Sequence, residues 1–380
     1  MRQLASRFPA VVILGARQVG KTTLARTTFP DRPYLDLEAP PTRDAFLADP
    51  LFQLESRLGT GLVLDEAQAV PAIFPTLRGL IDRDREARGK FILLGSAQPA
   101  LVRNVAESLA GRVGILELDP LTPAEAATGD SPLPWRDVWL KGGFPDAVRG
   151  EFRDWHESYL RTYVERDLPM LGIETDPVFA RRLLTMLAHQ QGGLLNVSSL
   201  SGALGVSTTK VGRWLDIFEM TFLIRRLPPY FRNVGKRLTK APKAYLRDTG
   251  MLHHLLNVSS MAELDSHPIR GASFETLVIE DLIRRERLER PSTQPFFWRT
   301  QAGAEIDLLF ERGSERVAIE VKSGYGSATA ARHLADAAVD ADAATAWIVD
   351  QGSGEDAMNA TVQRRGFGLS LDWLPPQGKA

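Results

Sequence analysis

The sequence contains no cysteine among its 380 residues. Disulfide frameworks, thiolate metal sites and cysteine nucleophiles are therefore excluded. It also lacks any apolar run near the roughly 20 residues that cross a membrane as a helix. Met1, Arg2 and Gln3 lead within a few residues into an apolar strand, which leaves no room for a signal peptide. We therefore expect a cytoplasmic protein with no membrane partner.

The chain also has no strong excess of one charge, since its 46 Lys and Arg residues and its 47 Asp and Glu residues give a net charge of −1. Acidic residues are locally absent between Leu223 and Arg247, which predicts a basic patch in a neutral chain. The eight basic residues of this stretch are Arg225, Arg226, Arg232, Lys236, Arg237, Lys240, Lys243 and Arg247. Hydrophobic residues make up 44% of the chain, and this length predicts two or three globular domains.

The first motif follows the apolar run 10–14, where Gly-x-x-x-x-Gly-Lys-Thr precedes a helical pattern. Strand, glycine loop and helix are the context of a P-loop, whose backbone N–H groups surround phosphate oxygens. We expect Lys21 to reach the β- and γ-phosphates and Thr22 to hold Mg²⁺. The predicted nucleotide-binding residues are Gly15, Ala16, Arg17, Gln18, Val19, Gly20, Lys21, Thr22 and Thr23.

A second apolar strand ends in Asp65 and Glu66, 44 residues after Lys21. One strand and one helix are predicted between them. In P-loop ATPases this position carries an Asp in the Mg²⁺ shell and a Glu that activates the attacking water. We therefore predict Asp65 as a metal-binding residue and Glu66 as the general base.

Two further residues are candidates for catalysis. Ser96 follows the apolar strand 91–95 and either senses the γ-phosphate or caps a turn. Arg112 lies after a predicted helix and before the next strand, where AAA+ ATPases carry an arginine finger. Such a finger usually acts from a neighbouring subunit, which would imply a homo-oligomer, whereas the alternative is a surface salt bridge.

The middle of the chain predicts a winged helix. Residues 196–207 and 208–218 form helix, glycine turn and helix, and residues 223–227 and 243–246 form hairpin strands around a wing at 228–242. The candidate nucleic-acid residues are Lys210, Arg213, Arg232, Lys236, Arg237 and Lys240, with DNA favoured. The alternative is a lid or a protein-docking module.

The C-terminal part predicts helix, three strands, helix and strand at 269–285, 296–300, 304–310, 317–323, 328–341 and 346–349. This order matches the restriction-endonuclease core. Asp307 and Glu320 fall in adjacent strands, and period-two spacing places Glu320 and Lys322 on one face. We predict Asp307, Glu320 and Glu275 as Mg²⁺ ligands and Lys322 as the residue that orients water or stabilises phosphorane charge, as in PD-(D/E)xK nucleases. Polar residues on an exposed strand face, or a nuclease fold used only for binding, are the alternatives.

These motifs, together with Gly142-Gly143-Phe144-Pro145 and the run 159–168, resemble prokaryotic AAA-family ATPases whose C-terminal half is a domain of unknown function. The resemblance extends over nearly the whole chain. It implies ATP as the nucleotide, a winged-helix region and a nuclease-like C-terminus.

We therefore expect an α/β protein with an AAA+-like P-loop ATPase domain at 1–130, a helical and winged-helix domain at 131–265 and a restriction-endonuclease-like domain at 266–380. The expected function is ATP hydrolysis that controls a C-terminal half that binds nucleic acid and cleaves it. The alternative is an ATP-dependent switch whose C-terminal domain only binds a protein or nucleic-acid partner.

Overall fold

The structure is a computed structural model that describes residues 1–96, 105, 107–128, 131–170, 173, 176–231 and 239–370. The chain divides into two compact units. The N-terminal unit comprises Met1–Pro120 with Met220–Phe222, and the C-terminal unit comprises Leu121–Glu219 with Leu223–Ala380. The three-domain division drawn from the sequence stays a prediction.

The N-terminal unit is built on a parallel sheet whose described strands run in the order β2-β3-β4-β1-β5. Val12 packs into the core on one face of the sheet, and Val11 and Ile13 pack into the core on the other. This burial on both faces explains the continuous apolar strands of the sequence. The elements are α1 (Arg2–Arg7), β1 (Ala10–Gly15), α2 (Lys21–Thr28), β2 (Tyr34–Asp36), α3 (Pro40–Ala48), α4 (Pro50–Glu55), β3 (Leu62–Asp65), α5 (Ile73–Arg83), β4 (Phe91–Ser96) and β5 (Val113–Leu118).

The C-terminal unit begins with helices and a two-stranded antiparallel hairpin of β6 and β7. The hairpin pairs the two strands expected from the sequence, with Ile224 opposite Leu246. The elements are α6 (Pro123–Ala126), α7 (Trp135–Lys141), α8 (Pro145–Arg149), α9 (Phe152–Thr162), α10 (Leu168–Met170), α11 (Pro177–His189), α12 (Val197–Leu204), α13 (Thr208–Met220), β6 (Ile224–Leu227), β7 (Lys243–Leu246), α14 (Thr249–Leu255) and α15 (Met261–Ser266).

The rest of this unit is a mixed sheet with the strand order β12-β13-β11-β10-β9-β8. Strands β8, β9 and β10 pair antiparallel, whereas β11 runs parallel to β10 and to β13. The sequence pattern did not indicate β12 and β13, which are short and bear several charged residues. The elements are α16 (Arg270–Glu289), β8 (Gln294–Arg299), β9 (Glu305–Arg312), β10 (Glu315–Lys322), α17 (Ala328–Ala341), β11 (Thr345–Asp350), β12 (Glu355–Ala357) and β13 (Val362–Gly366).

The segment after β6 runs along the outer edge of β8. The N–H of Tyr230 donates to the carbonyl of Phe297 at 2.7 Å, and the N–H of Phe297 donates to the carbonyl of Pro228 at 3.0 Å. Farther along, the N–H of Thr239 donates to the carbonyl of Arg299 at 3.1 Å. These bonds cover an otherwise unpaired sheet edge and hold both ends of the predicted wing against β8.

The Gly-Gly-Phe-Pro motif has a structural role between α7 and α8. Asp248 caps α14 and also accepts a 2.8 Å hydrogen bond from the N–H of Gly143. Gly142 has a φ of 83°, and a Cβ placed there would lie 2.2 Å from the Asp248 carboxylate. Only glycine fits this close approach, so the motif joins two distant parts of the unit.

Within the described ranges, no helix is long and apolar enough to cross a membrane.

Candidate functional site

The P-loop joins β1 to α2, and Gly20 caps the helix with a left-handed φ of 97°. Lys21 opens the helix and is buried. Its Nζ donates to the carbonyl oxygens of Gly15 at 3.1 Å and Ala16 at 2.8 Å. The ammonium therefore lies over its own loop at the N-terminus of α2, where backbone N–H groups and the helix dipole attract phosphate. The other predicted loop residues, through Thr23, occupy this turn and the start of α2.

Thr22 and Asp65 come together at the carboxyl edge of the parallel sheet. The Thr22 hydroxyl donates to Asp65 Oδ2 at 2.6 Å, and the Tyr34 hydroxyl donates to the same oxygen at 2.7 Å. The N–H of Glu66 donates to Asp65 Oδ1 at 2.9 Å. A hydroxyl and a carboxylate oxygen in contact are the donor types that Mg²⁺ takes beside nucleotide phosphates, so these residues fit that ion. Tyr34 was missed from the sequence because nothing local ties it to Asp65.

Glu66 has an unusual backbone for a residue with a side chain, with a left-handed φ of 48°. Such a conformation costs about 1–3 kcal/mol and is found preferentially at functional sites. The Gln68 amide donates to Glu66 Oε2. Burial raises the pKa of Glu66 above its usual value, which moves it toward the range of a general base at neutral pH. Gln68, two residues along, was also missed.

Ser96 and Arg112 lie at opposite ends of the parallel strands. The backbone of Ser96 ends β4 beside Gly15, while its side chain lies outside the described part. Arg112 forms two 2.9 Å contacts to Asp82 through Nε and Nη2. Its carbonyl accepts from the N–H of Ala10, at the amino end of β1 and opposite the P-loop. The salt bridge that the sequence left open is therefore present, and the finger role stays a prediction.

The C-terminal candidate site is built on the antiparallel pair β9 and β10. Asp307 in β9 accepts a 2.9 Å hydrogen bond at Oδ2 from the N–H of Val321. Lys322 Nζ donates to Glu320 Oε1 at 2.5 Å, as expected for two residues on one face of β10. Glu320 Oε2 is buried and has no hydrogen-bond partner among the described residues. This orphaned oxygen fits a role as a cation ligand, because buried carboxylate oxygens are otherwise paired.

Lys243 enters this site from the hairpin strand β7, and its side chain is only 4% exposed. Its Nζ lies 2.6 Å from Glu305 Oε1, 3.2 Å from Glu275 Oε1 and 3.3 Å from Asp307 Oδ1. Glu275 Oε1 also accepts a 2.6 Å hydrogen bond from the Tyr245 hydroxyl. From the sequence, Lys243 was predicted only as part of the basic stretch. Its alternation with Tyr245 in an otherwise apolar strand was the signal available.

The structure does not support Glu275 as the third metal ligand that the sequence predicted. Across the described ranges, no group of three or more His, Cys, Asp or Glu side chains is placed to hold a metal ion. The predicted trio of Glu275, Asp307 and Glu320 is interrupted because the Lys243 ammonium stands between Glu275 and Asp307. The residues that remain to face a cation are Asp307 and Glu320.

The pKa values at this site are shifted because several buried carboxyl groups lie close together. Burial, and next the Asp307 charge, raise the pKa of Glu275 to about 7 and that of Glu320 to about 8. Burial opposes the charge of Lys243, but Asp307, Glu275 and Glu305 outweigh it and hold the Lys243 pKa above its usual value. Four carboxyl groups share this site with two lysines, so an additional cation would favour the ionised forms of Glu275 and Glu320.

The candidate nucleic-acid residues are only partly described. Lys210 pairs with Asp176 at 3.3 Å and lies 4.3 Å from the centre of the Phe179 ring. Arg213 and Lys240 are exposed. Arg232, Lys236 and Arg237 lie outside the described residues.

Comparison with protein families gives three matches along the chain. Residues 7–127 match a family described as an AAA domain. Together with the P-loop and the Thr22–Asp65 contact, this match defines the N-terminal unit as an AAA-type P-loop ATPase domain. Residues 133–262 and 270–363 match families described as domains of unknown function, DUF8612 and DUF4143.

Relatives of the whole chain include an uncharacterized protein of Mycobacterium bovis and one of Mycobacterium tuberculosis. Each is 37% identical over 367 residues, which cover 95% of this chain and 81% of the relative. The chain belongs to the same family as these two mycobacterial proteins. Among solved structures, the Walker-type ATPase of Pyrococcus abyssi gives a TM-score of 0.46 at 14% identity, covering 67% of this chain and 93% of that one. A likeness of that size supports no further conclusion.

Proposed function

We propose that this protein hydrolyses ATP in its N-terminal unit and uses the nucleotide state to control a C-terminal half that binds and cleaves nucleic acid. The observation that carries the proposal is the convergence of Asp307, Glu320 and Lys322 on one face of β9 and β10. Each of these residues has a chemical role in phosphodiester cleavage, and the P-loop unit supplies the nucleotide dependence.

The roles in the N-terminal unit follow from the contacts of the loop. Lys21 would hold the β- and γ-phosphates, and Thr22 and Asp65 would hold Mg²⁺. Glu66 would accept the proton of the attacking water, because its pKa is raised by burial and Gln68 fixes its carboxylate. Tyr34 would orient Asp65.

The roles in the C-terminal site are those of a nuclease. Asp307 and Glu320 would hold Mg²⁺, and Lys322 would orient water or stabilise the negative charge that develops on the phosphate. A bound Mg²⁺ would supply positive charge to the scissile phosphate and lower the pKa of water. Glu275 would act through Lys243 and Tyr245 instead of as a direct ligand.

Nucleic-acid binding is proposed for the helices and hairpin of the C-terminal unit. Helices α11, α12 and α13 followed by the hairpin β6–β7 have the order of a winged helix. Arg213 on α13 and Lys240 near β8 are exposed, whereas a phosphate would have to compete with Asp176 for Lys210. We propose DNA phosphates as their ligands, together with the basic residues of the wing.

Arg112 is proposed to act between subunits. It lies at the amino end of β1, and six residues of strand are about 20 Å long, so it cannot reach the P-loop of its own chain. Mixing Glu66→Gln subunits with Arg112→Ala subunits tests this role. Recovery of ATP turnover in the mixture supports a finger in trans, and no recovery at any ratio leaves Arg112 as the partner of Asp82.

A second candidate function is a switch whose C-terminal domain binds without cleaving. The Lys243 ammonium favours it, because it already neutralises part of the carboxylate site. The two functions separate in a Lys322→Met variant, with Lys90→Met in the N-terminal unit as the matched control outside both the carboxylate site and the proposed DNA-binding surface. The nuclease proposal predicts lost cleavage with retained DNA binding for Lys322→Met, whereas the switch proposal predicts no cleavage by the wild type.

The ATPase proposal is tested by phosphate release. Glu66→Gln should bind ATP normally and lower turnover by about 100-fold or more, the scale of a general base. Equal turnover in wild type and Glu66→Gln would remove Glu66 from the mechanism.

A further inference from the structure

Lys243 is a buried cation that takes no direct part in the proposed cleavage. An ammonium group has three N–H donors, and Lys243 meets three carboxylates, those of Glu275, Glu305 and Asp307. All three contacts lie between 2.6 and 3.3 Å, well within the 4 Å that defines an ion pair. The ammonium therefore lies within ion-pair distance of three carboxylates, as many as it has N–H donors.

The two halves of the carboxylate site differ around the shared residue Asp307. Its Oδ1 faces Lys243 on the Glu275 side, and its Oδ2 receives the N–H of Val321 beside Glu320. On the Glu320 side, Lys322 takes only Oε1, and Oε2 is buried without a partner among the described residues. One half of the site is therefore filled by protein charge, and the other half has an oxygen that lacks a partner.

Enzymes that cleave phosphodiesters commonly hold two divalent ions about 3.5–4 Å apart, bridged by a shared carboxylate. Asp307 lies where such a bridge would lie. We propose that the Lys243 ammonium takes the place of one of the two cations, so that this site binds a single divalent cation, at Asp307 and Glu320. The inference depends on the proposed cleavage function, since it assumes that the site binds a cation at all.

The side chains that contact Glu275 at this site come from the hairpin strand β7. Lys243 and Tyr245 point to the same face of β7, and both contact Glu275. The residues that replace the second cation thus come from the predicted winged-helix segment, 30 or more positions before the carboxylates they contact.

The experiment counts Mn²⁺ ions bound to the nucleotide-free full chain by calorimetry and by electron paramagnetic resonance. Asp307→Asn is the reference variant, so only ions that it loses are counted for this site. We expect one such ion in the wild type and two in Lys243→Met, because Glu275, Glu305 and Asp307 are then free to bind a second ion. Lys243→Met/Glu275→Gln removes one charge of each sign and should return to one ion.

Thermal unfolding provides a readout that does not depend on catalysis. Lys243→Met leaves buried carboxylates unpaired, so its Tm should fall without Mn²⁺ and rise more steeply with Mn²⁺ than that of the wild type. The double variant should keep a Tm near that of the wild type and a similar Mn²⁺ response, which keeps the test valid if Lys243→Met alone does not fold.

The outcomes distinguish failure of the Lys243 inference from failure of the proposed cleavage function. Two Asp307-dependent ions in the wild type would overturn the role of Lys243 and leave the cleavage proposal standing. One ion in both wild type and Lys243→Met, with equal Mn²⁺ effects on Tm, would overturn it as well. No Asp307-dependent ion in the wild type would overturn the cleavage proposal and, with it, the inference.

Discussion

Acidification should destabilise the C-terminal unit through His253, which is completely buried in a chain of hydrogen bonds. His253 Nδ1–H donates to the carbonyl of Leu140 at 2.8 Å, and Nε2 accepts from the Ser273 hydroxyl at 2.7 Å. The Ser273 oxygen in turn accepts from Trp139 Nε1–H at 2.9 Å. Every member of the chain is satisfied when the imidazole is neutral, so a second ring proton would break it.

The magnitude follows from the pKa of His253. Burial lowers this pKa from 6.5 to about 4 in the folded protein. Because the folded pKa is the lower one, the unfolded chain takes up the proton first. The stabilisation is therefore complete above pH 6.5 and is lost as the pH falls toward 4. At about 1.4 kcal/mol for each pH decade, the full loss is about 3 kcal/mol.

Urea unfolding of the wild type and of His253→Asn, at pH 7.5 and pH 4.5, isolates this effect. Asn keeps a donor toward Leu140 but cannot titrate, and the carboxylates common to both proteins cancel in the difference. We expect the stability advantage of the wild type to shrink by about 2–3 kcal/mol between the two pH values. An advantage that stays constant with pH would contradict this role of His253.

Two further changes test other parts of the structure. Gly142→Ala should destabilise the C-terminal unit by about 3 kcal/mol or more, because its Cβ would meet Asp248 at 2.2 Å. Gly205→Ala has a similar φ of 67° with open space around it and should cost only about 1–2 kcal/mol, and equal losses of Tm would contradict the clash. Tyr34→Phe removes a hydrogen bond to Asp65 and should raise the Mg²⁺ concentration for half-maximal ATP turnover about 10-fold. An unchanged Mg²⁺ dependence would show that Thr22 suffices to orient Asp65.

The N-terminal unit was predictable because its signals are local. The glycine loop, the buried strand before it and the acidic strand end are each readable within a few residues. Parallel strands then bring their carboxyl ends to one edge, which is why Thr22 and Asp65, each predicted as a Mg²⁺ residue from its own motif, lie in contact. The pairing of Asp82 with Arg112 across 30 positions was not readable in this way.

The C-terminal site was predictable only in part. The alternation of Glu320 and Lys322 in one strand indicates a shared face, and their contact follows from that periodicity. Lys243 reaches Asp307 across 64 positions, through packing of a hairpin against a separate sheet. The alternation of Lys243 with Tyr245 does not indicate which distant residues they contact, so the motif spacing predicted Glu275 as a ligand, a role that Lys243 interrupts.

The proposed function depends on the claim that nucleotide state controls a metal-dependent nuclease. The most direct measurement is Mg²⁺-dependent cleavage of labelled single- and double-stranded DNA and RNA, with and without ATP, by wild type and Asp307→Ala. We predict cleavage that depends on ATP and is lost in Asp307→Ala. No cleavage of any substrate by a wild-type protein that still hydrolyses ATP would contradict the claim and favour the switch.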